Sequence, residues 1–226
     1  MNQLHEFLFG IYPYLAGAVF AIGSVVRFDY DPYSWKSGSS QMLSKQNMVV
    51  ASNCFHVGIL LLFFGHLVGL LTPKEVYHAF GLSAGAKQAI AMTAGGIFGL
   101  LSVYGLTMLV RRRLTDARVR ATSGKMDIFI LLLIYVQMIL GLFTILVSSQ
   151  HMDGSVMVAL ADWAQAIVFF QGGAAASLTG VHWLYKMHIL VGVTMFLVFP
   201  FSRLVHIWSA PVAYLGRSYQ LVRRRA

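Results

Sequence analysis

Five runs of apolar residues, each long enough to cross a bilayer, leave this chain few ways to fold. A hydrocarbon layer about 30 Å thick takes roughly 20 apolar residues per helical crossing. The runs at 7–26, 48–71, 88–110, 126–147 and 182–208 all meet that length. No water reaches the hydrocarbon to satisfy backbone N–H and C=O groups, so each run must satisfy its own by forming a helix. Composition agrees: 58% of the 226 residues are hydrophobic and 11% charged, with mean hydropathy +0.69. That is too little polar surface to cover a water-soluble core. The expected fold is all-α, an integral membrane bundle of five transmembrane helices forming one domain over residues 1–226. The first run has no basic leader and carries Pro13, so it reads as a retained helix rather than a signal peptide.

The net charge of +9 invites a nucleic-acid reading, but the basic residues cluster beside the spans. With alternate connections assigned to alternate sides, one side receives Arg27, Lys36, Lys45, Arg111, Arg112, Arg113, Arg118, Arg120, Lys125, Arg203, Arg217 and Arg223 to Arg225, fourteen of the 17 Lys and Arg. The other receives three, Lys74, Lys87 and Lys186. Basic residues mark the cytoplasmic side of a membrane protein, which puts the amino terminus outside and the carboxyl terminus inside. No nucleic-acid partner is expected. One cysteine, Cys54, excludes an intramolecular disulfide and a thiolate-held iron–sulfur cluster within the chain, so any cluster belongs to a partner.

Local signals punctuate the spans. The Asp-Pro of RFDYDPYSW ends the first, and Thr72-Pro73 ends the second. The third is rich in small residues (Ala94, Gly95, Gly96, Gly99, Gly105) that admit a close neighbour, a packed helix before a flat cofactor. The inner loop RRRLTDARVRATSGK suits anionic lipid, with partner docking or propionate pairing as further roles. In the long outer connection, SVMVALADWAQAIVFF reads as an amphipathic helix lying on the membrane, followed by a flexible QGGAAASLTG. The fifth helix ends by Pro211, before a basic inner tail.

Four of the eight histidines lie at membrane depth, where a polar ring is costly without a partner. His188 and His206 are 18 residues apart, five whole turns, so a straight fifth helix would present both on one face ~27 Å apart. His56 and His66 on the second helix are ten apart, a rise of ~15 Å, and miss a full turn by ~80°. A kink at Pro200 would absorb part of the mismatch. The two helices run in opposite directions, so His56 shares the inner level with His206 and His66 shares the outer level with His188. Interhelical hydrogen bonding would explain any one of these rings, but it must be invoked four times; two bis-histidine haems explain them together. Gly58, Gly65 and Gly69 would clear space beside the second helix. His5, His78 and His151 fall at or beyond helix ends and are expected to be structural; His182, at the outer edge of the fifth helix and six residues from His188, points elsewhere on the helix and is a poor candidate ligand.

These residues, with FGIYPYLAGAVFAIGS, ASNCFHVGILLLFFGHLVGLLTP, RRRLTDARVRAT, SSQHMDGSVM, FPFSRLVHIWSAPVAYL and YQLVRR, give the chain a resemblance, nearly end to end, to the gamma subunit of respiratory nitrate reductase. That family is a dihaem cytochrome b of the bacterial inner membrane. The resemblance implies two haem b groups, the inner one ligated by His56 and His206, the outer by His66 and His188. It implies oxidation of menaquinol or ubiquinol beside the outer haem, with Lys87 at the quinol site and Gly65 and Gly69 lining the pocket. Electrons would pass to a cytoplasmic iron–sulfur beta subunit and on to a molybdenum-containing alpha subunit that reduces nitrate. Arg111, Arg112, Arg113 and Arg203 are candidates for holding propionates of the inner haem. Read without the resemblance, Lys87 is an interfacial anchor at a helix start. Two alternatives are a dihaem subunit of another quinol-linked complex, of the formate or heterodisulfide type, and a transporter that relays protons through buried histidines. The transporter lacks support from an internal repeat or from a buried acid among the spans.

Overall fold

A computed structural model describes residues 2–40, 42–43, 47–209 and 216. Among them every regular element is helical. Five helices are long and apolar enough to span a membrane: α1 (Gln3–Tyr30), α2 (Met48–Leu71), α3 (Ala84–Thr115), α4 (Lys125–Ser148) and α6, whose spanning stretch is Trp183–Phe201. The shorter α5 covers Ser155–Val168. The expected all-α bundle of five spans is the observed fold. Lys45, Pro211, Arg217 and the basic tail lie outside the described residues.

The ends of the helices follow from local chemistry. The expected limits of α2 match the observed ones, because Pro73 can supply no further helical N–H. The expected α3 is extended at both ends. Ser83 caps its start by accepting the Ala86 N–H at 3.2 Å, and Asp116 beyond its end accepts the Arg118 and Val119 amides that open a short helix, Ala117–Ala121.

Pro13 leaves its mark on α1. Without an N–H it cannot serve the Phe9 carbonyl four residues earlier, and the helix passes through a π turn at Phe7–Ile11. The indole N–H of Trp163 on α5 donates to that carbonyl at 2.9 Å. Gln165 Nε2 of α5 likewise donates to the Leu70 carbonyl in the last turn of α2 at 2.9 Å, and His5 Nε2 of α1 donates to Ala175 O in the connection after α5 at 2.8 Å. Carbonyls left open at helix ends thus find side-chain donors. Phe9, Trp163, Ala164, Ala175, Leu178 and Tyr185 form a buried cluster beneath them. The stretch 171–180, expected to be flexible, instead holds a 3-10 turn at Ala174–Leu178 with Ala175 and Leu178 fully buried.

Within the bundle α3 packs on α2 and α4, α4 on α6, and α6 on α1. Glycine sets the closest of these approaches. A β-carbon on Gly105 would collide with Phe55 N and Ala51 O of α2, and one on Gly58 would stand 2.7 Å from Phe98 O of α3. Gly58 therefore serves helix packing, and the sequence expectation that it clears room for a macrocycle is corrected.

The kink expected at Pro200 is a full break in the fifth spanning segment. Its α-helical part stops at Val198; a 3-10 turn covers Phe199–Phe201, Ser202 is extended, and a second 3-10 segment runs over Arg203–Ser209. Pro200 removes a backbone donor and crowds the preceding turn. Arg27 of α1 stabilises the break, its guanidinium donating to Pro200 O at 2.6 Å and Ser202 O at 2.8 Å. A cation on carbonyls at the end of a helix is favoured by both hydrogen bonding and the helix dipole.

Candidate functional site

Three of the four membrane-depth imidazoles are held in the same way. Nδ1 donates to a backbone carbonyl one turn back: His56 to Ser52 O at 2.7 Å, His66 to Leu62 O at 2.8 Å, and His206 to Arg203 O at 2.5 Å. A carbonyl only accepts, so Nδ1 carries the proton and the Nε2 lone pair is left for a metal. The fourth, His188, has no such bond: its Nδ1 is buried without a hydrogen-bond partner, and its Nε2 lies 3.4 Å from the amide nitrogen of Gln137.

The structure brings His66 of α2 and His188 of α6 together, ring centroids 6.1 Å apart and planes tilted by 38°. Two imidazoles bound to one metal from opposite sides, at about 2 Å per bond, stand roughly 6 Å apart. At the other end of the bundle His206 lies within electrostatic range of His56. Both α2 rings are exposed on the chain surface, although neither faces water in a bilayer. Among the described residues no cluster of three or more His, Cys, Asp or Glu could hold a bare ion. A two-imidazole pair suits iron in a macrocycle that supplies its other ligands, so the residues present fit haem.

At the end of the bundle carrying α5, Lys87 is buried to 9% exposure. Its ammonium sits 4.1 Å over the Tyr77 ring and 3.5 Å from Thr72 O. Tyr77, absent from the sequence expectations, is thus its cation–π support; an aromatic ring a few residues past the Pro73 stop was the available signal. Gly65, Gly69 and Thr72 follow the i, i+4, i+7 pattern of one face of α2, and a β-carbon on either glycine would meet nothing within 4 Å. The Lys87 ammonium therefore lies at the head of a glycine-floored face beside His66, about 9 Å along the helix axis from it.

The opposite end gathers most of the arginines proposed for propionates. Arg112 donates to Ser40 O at 2.8 Å, and Arg203 to Ser37 O and Gly38 O. Arg113 donates to Ser123 Oγ at 2.8 Å, and Asp127 lies 3.9 Å from Arg113 and 3.7 Å from Arg203. The loop at 37–40 and Asp127 thus fix three guanidinium groups near the His56–His206 level. Arg111 is exposed.

The comparisons with known proteins fit this geometry. The nitrate reductase gamma subunit family model matches residues 5–225. The chain belongs to that family. It is 54% identical to the respiratory nitrate reductase 1 gamma chain of Escherichia coli and 51% identical to the respiratory nitrate reductase 2 gamma chain, covering 100% of this chain and 100% and 99% of those two. The nitrate reductase gamma chain of Bacillus subtilis is 34% identical over 98% of this chain and 99% of its own length. This gamma subunit is accordingly a multi-pass protein of the bacterial inner membrane and one component of an oxidoreductase complex.

Proposed function

We propose that this gamma subunit is a dihaem cytochrome b that oxidises membrane quinol at the periplasmic end of the bundle and delivers electrons at the arginine-rich, cytoplasmic end. The reading rests above all on the facing His66 and His188 rings, 6.1 Å apart on two helices, with the Nε2 lone pair of His66 left over by its bond to the Leu62 carbonyl. His56 and His206, one level deeper, are read as the second pair. Bound in these pairs, haems supply one-electron carriers across the bilayer.

The chain's own residues do the rest. The Lys87 ammonium, steadied by Tyr77, donates a hydrogen bond to a quinol oxygen and stabilises the negative charge that grows there as a proton departs. Gly65 and Gly69 leave the face of α2 flat enough for a planar head group to lie beside His66. Each quinol yields quinone, two protons and two electrons. The protons leave on the periplasmic side, and the electrons cross to a cytoplasmic iron–sulfur beta subunit. At a molybdenum-containing alpha subunit, nitrate takes up two electrons and two cytoplasmic protons to give nitrite and water. Opposite sides for the two proton events separate charge without a proton channel. The arginine-rich end suits the cytoplasmic leaflet and its partner subunits.

Lys87→Ala tests the quinol site. Losing a charge-assisted hydrogen bond, about 1.5–3 kcal/mol, should weaken binding of quinol or a quinol-site inhibitor roughly 10- to 100-fold, with both haems retained. An unchanged affinity would make Lys87 an interfacial anchor only. Co-purification with an iron–sulfur protein and a molybdenum enzyme separates this assignment from other quinol-linked complexes.

A further inference from the structure

Between α4 and α6 two residues interlock. His188 of α6 stands over Gly141 of α4, where a β-carbon would lie 3.1 Å from the imidazole Cε1. Gln137 of α4 stands over Gly192 of α6, where a β-carbon would lie 3.1 Å from the amide nitrogen. Each partner supplies one large and one small residue at i, i+4, so the ring and the carboxamide are pressed side by side. Packing alone does not call for glutamine here. Leucine or methionine would fill the volume, whereas a carboxamide inside a membrane helix is costly unless its polar atoms are used. In this structure Gln137 Oε1 and His188 Nδ1 are both buried with no hydrogen-bond partner, and the 3.4 Å contact between the amide nitrogen and Nε2 joins the two groups. The other three membrane-depth histidines are oriented by backbone carbonyls of their own helix; His188 lacks that support, and Gln137 stands in its place.

We propose that Gln137 is the positioning residue of His188: held in the Gly192 notch, it gives up the Nε2 contact when that nitrogen ligates iron and turns its buried Oε1 to accept from the otherwise unpartnered Nδ1–H, which fixes the plane of the outer haem's ligand. The inference rests on the reading that His188 ligates haem. It places a determinant of that haem's spectroscopic and redox character on α4, a helix that carries no ligand itself.

The test compares the purified holo-complex with Gln137→Met, which keeps length and removes hydrogen bonding, with Gln137→Glu, near-isosteric and still able to accept from the Nδ1–H, and with Gly192→Ala, which displaces the amide without altering it. Haem content, the low-spin electron paramagnetic resonance g values and the two midpoint potentials are read, the outer haem being identified as the signal lost in His66→Tyr. The expected result is a shift in the g value and midpoint of the outer haem in Gln137→Met and Gly192→Ala, or selective loss of that haem. The inner haem should be unchanged, and Gln137→Glu should lie closer to the parent. Unchanged outer-haem signals in both variants, or equal disturbance of both haems, would make Gln137 a packing residue and overturn the proposal. A parent complex without haem would instead defeat the ligand reading on which it stands.

Discussion

A histidine inside hydrocarbon is informative because both ring nitrogens need an explanation. For His56, His66 and His206 one nitrogen is spent on a carbonyl of the same helix, and the other is left as a lone pair. Counting turns along the sequence was enough to find these rings. By contrast, His5 and His182 satisfy local needs: one bonds Ala175 O, and the other caps α6 by accepting the Leu184 N–H. Gln137 escaped the sequence reading because a single amide in an apolar run has many possible partners, and only the fold shows that a histidine is beside it. Trp163 escaped for a related reason, since the carbonyl it serves is 154 residues away. Trp163→Phe keeps most of the packing but leaves the Phe9 carbonyl buried and unpaired, a cost of about 1–3 kcal/mol. A lower thermal midpoint for the purified complex, with both haem spectra intact, is the expected measurement; an unchanged midpoint would show that the carbonyl finds another donor.

Helices themselves were legible to the extent that their limits are set by residues next door. The α2 limits were readable because Pro73 is a hard stop, and α4 agreed to within a residue at each end. The break after Val198 was not, although Pro200 was flagged. A proline can either kink a helix or end it, and here the choice falls to Arg27, which offers donors to two carbonyls from a different helix. The straight α-helical rise assumed between His188 and His206 does not hold, because the path breaks at an extended Ser202 and continues as a 3-10 segment before His206. Replacing Arg27 by Leu should free the Pro200 and Ser202 carbonyls and loosen the segment that presents His206. The expected outcome is loss of the inner haem with the outer haem retained, read from haem content and electron paramagnetic resonance of membranes. Retention of both haems would limit Arg27 to a topological anchor.

Across the whole molecule the chain separates two kinds of end. One is closed by α5 and its side-chain ties to α1 and α2, and carries Lys87; the other carries the arginines that grip residues 37–40. The proposed orientation, from the charge count and the positive-inside rule, puts the arginines inward. In a Cys54→Ser background, a cysteine introduced by Gly172→Cys should react with a membrane-impermeant maleimide in cells with a permeabilised outer membrane, while Arg118→Cys should react only after lysis. The reverse pattern would invert the orientation and with it the direction of charge separation.

The electron path itself is tested most directly by adding quinol to membranes containing His66→Tyr or His188→Tyr and following the reduced-minus-oxidised spectrum of the remaining haem. The path from Lys87 past the His66–His188 level to His56 and His206 predicts that the outer haem is absent and that quinol no longer reduces the inner one, although dithionite still does. Normal reduction of the inner haem by quinol in those variants would contradict it.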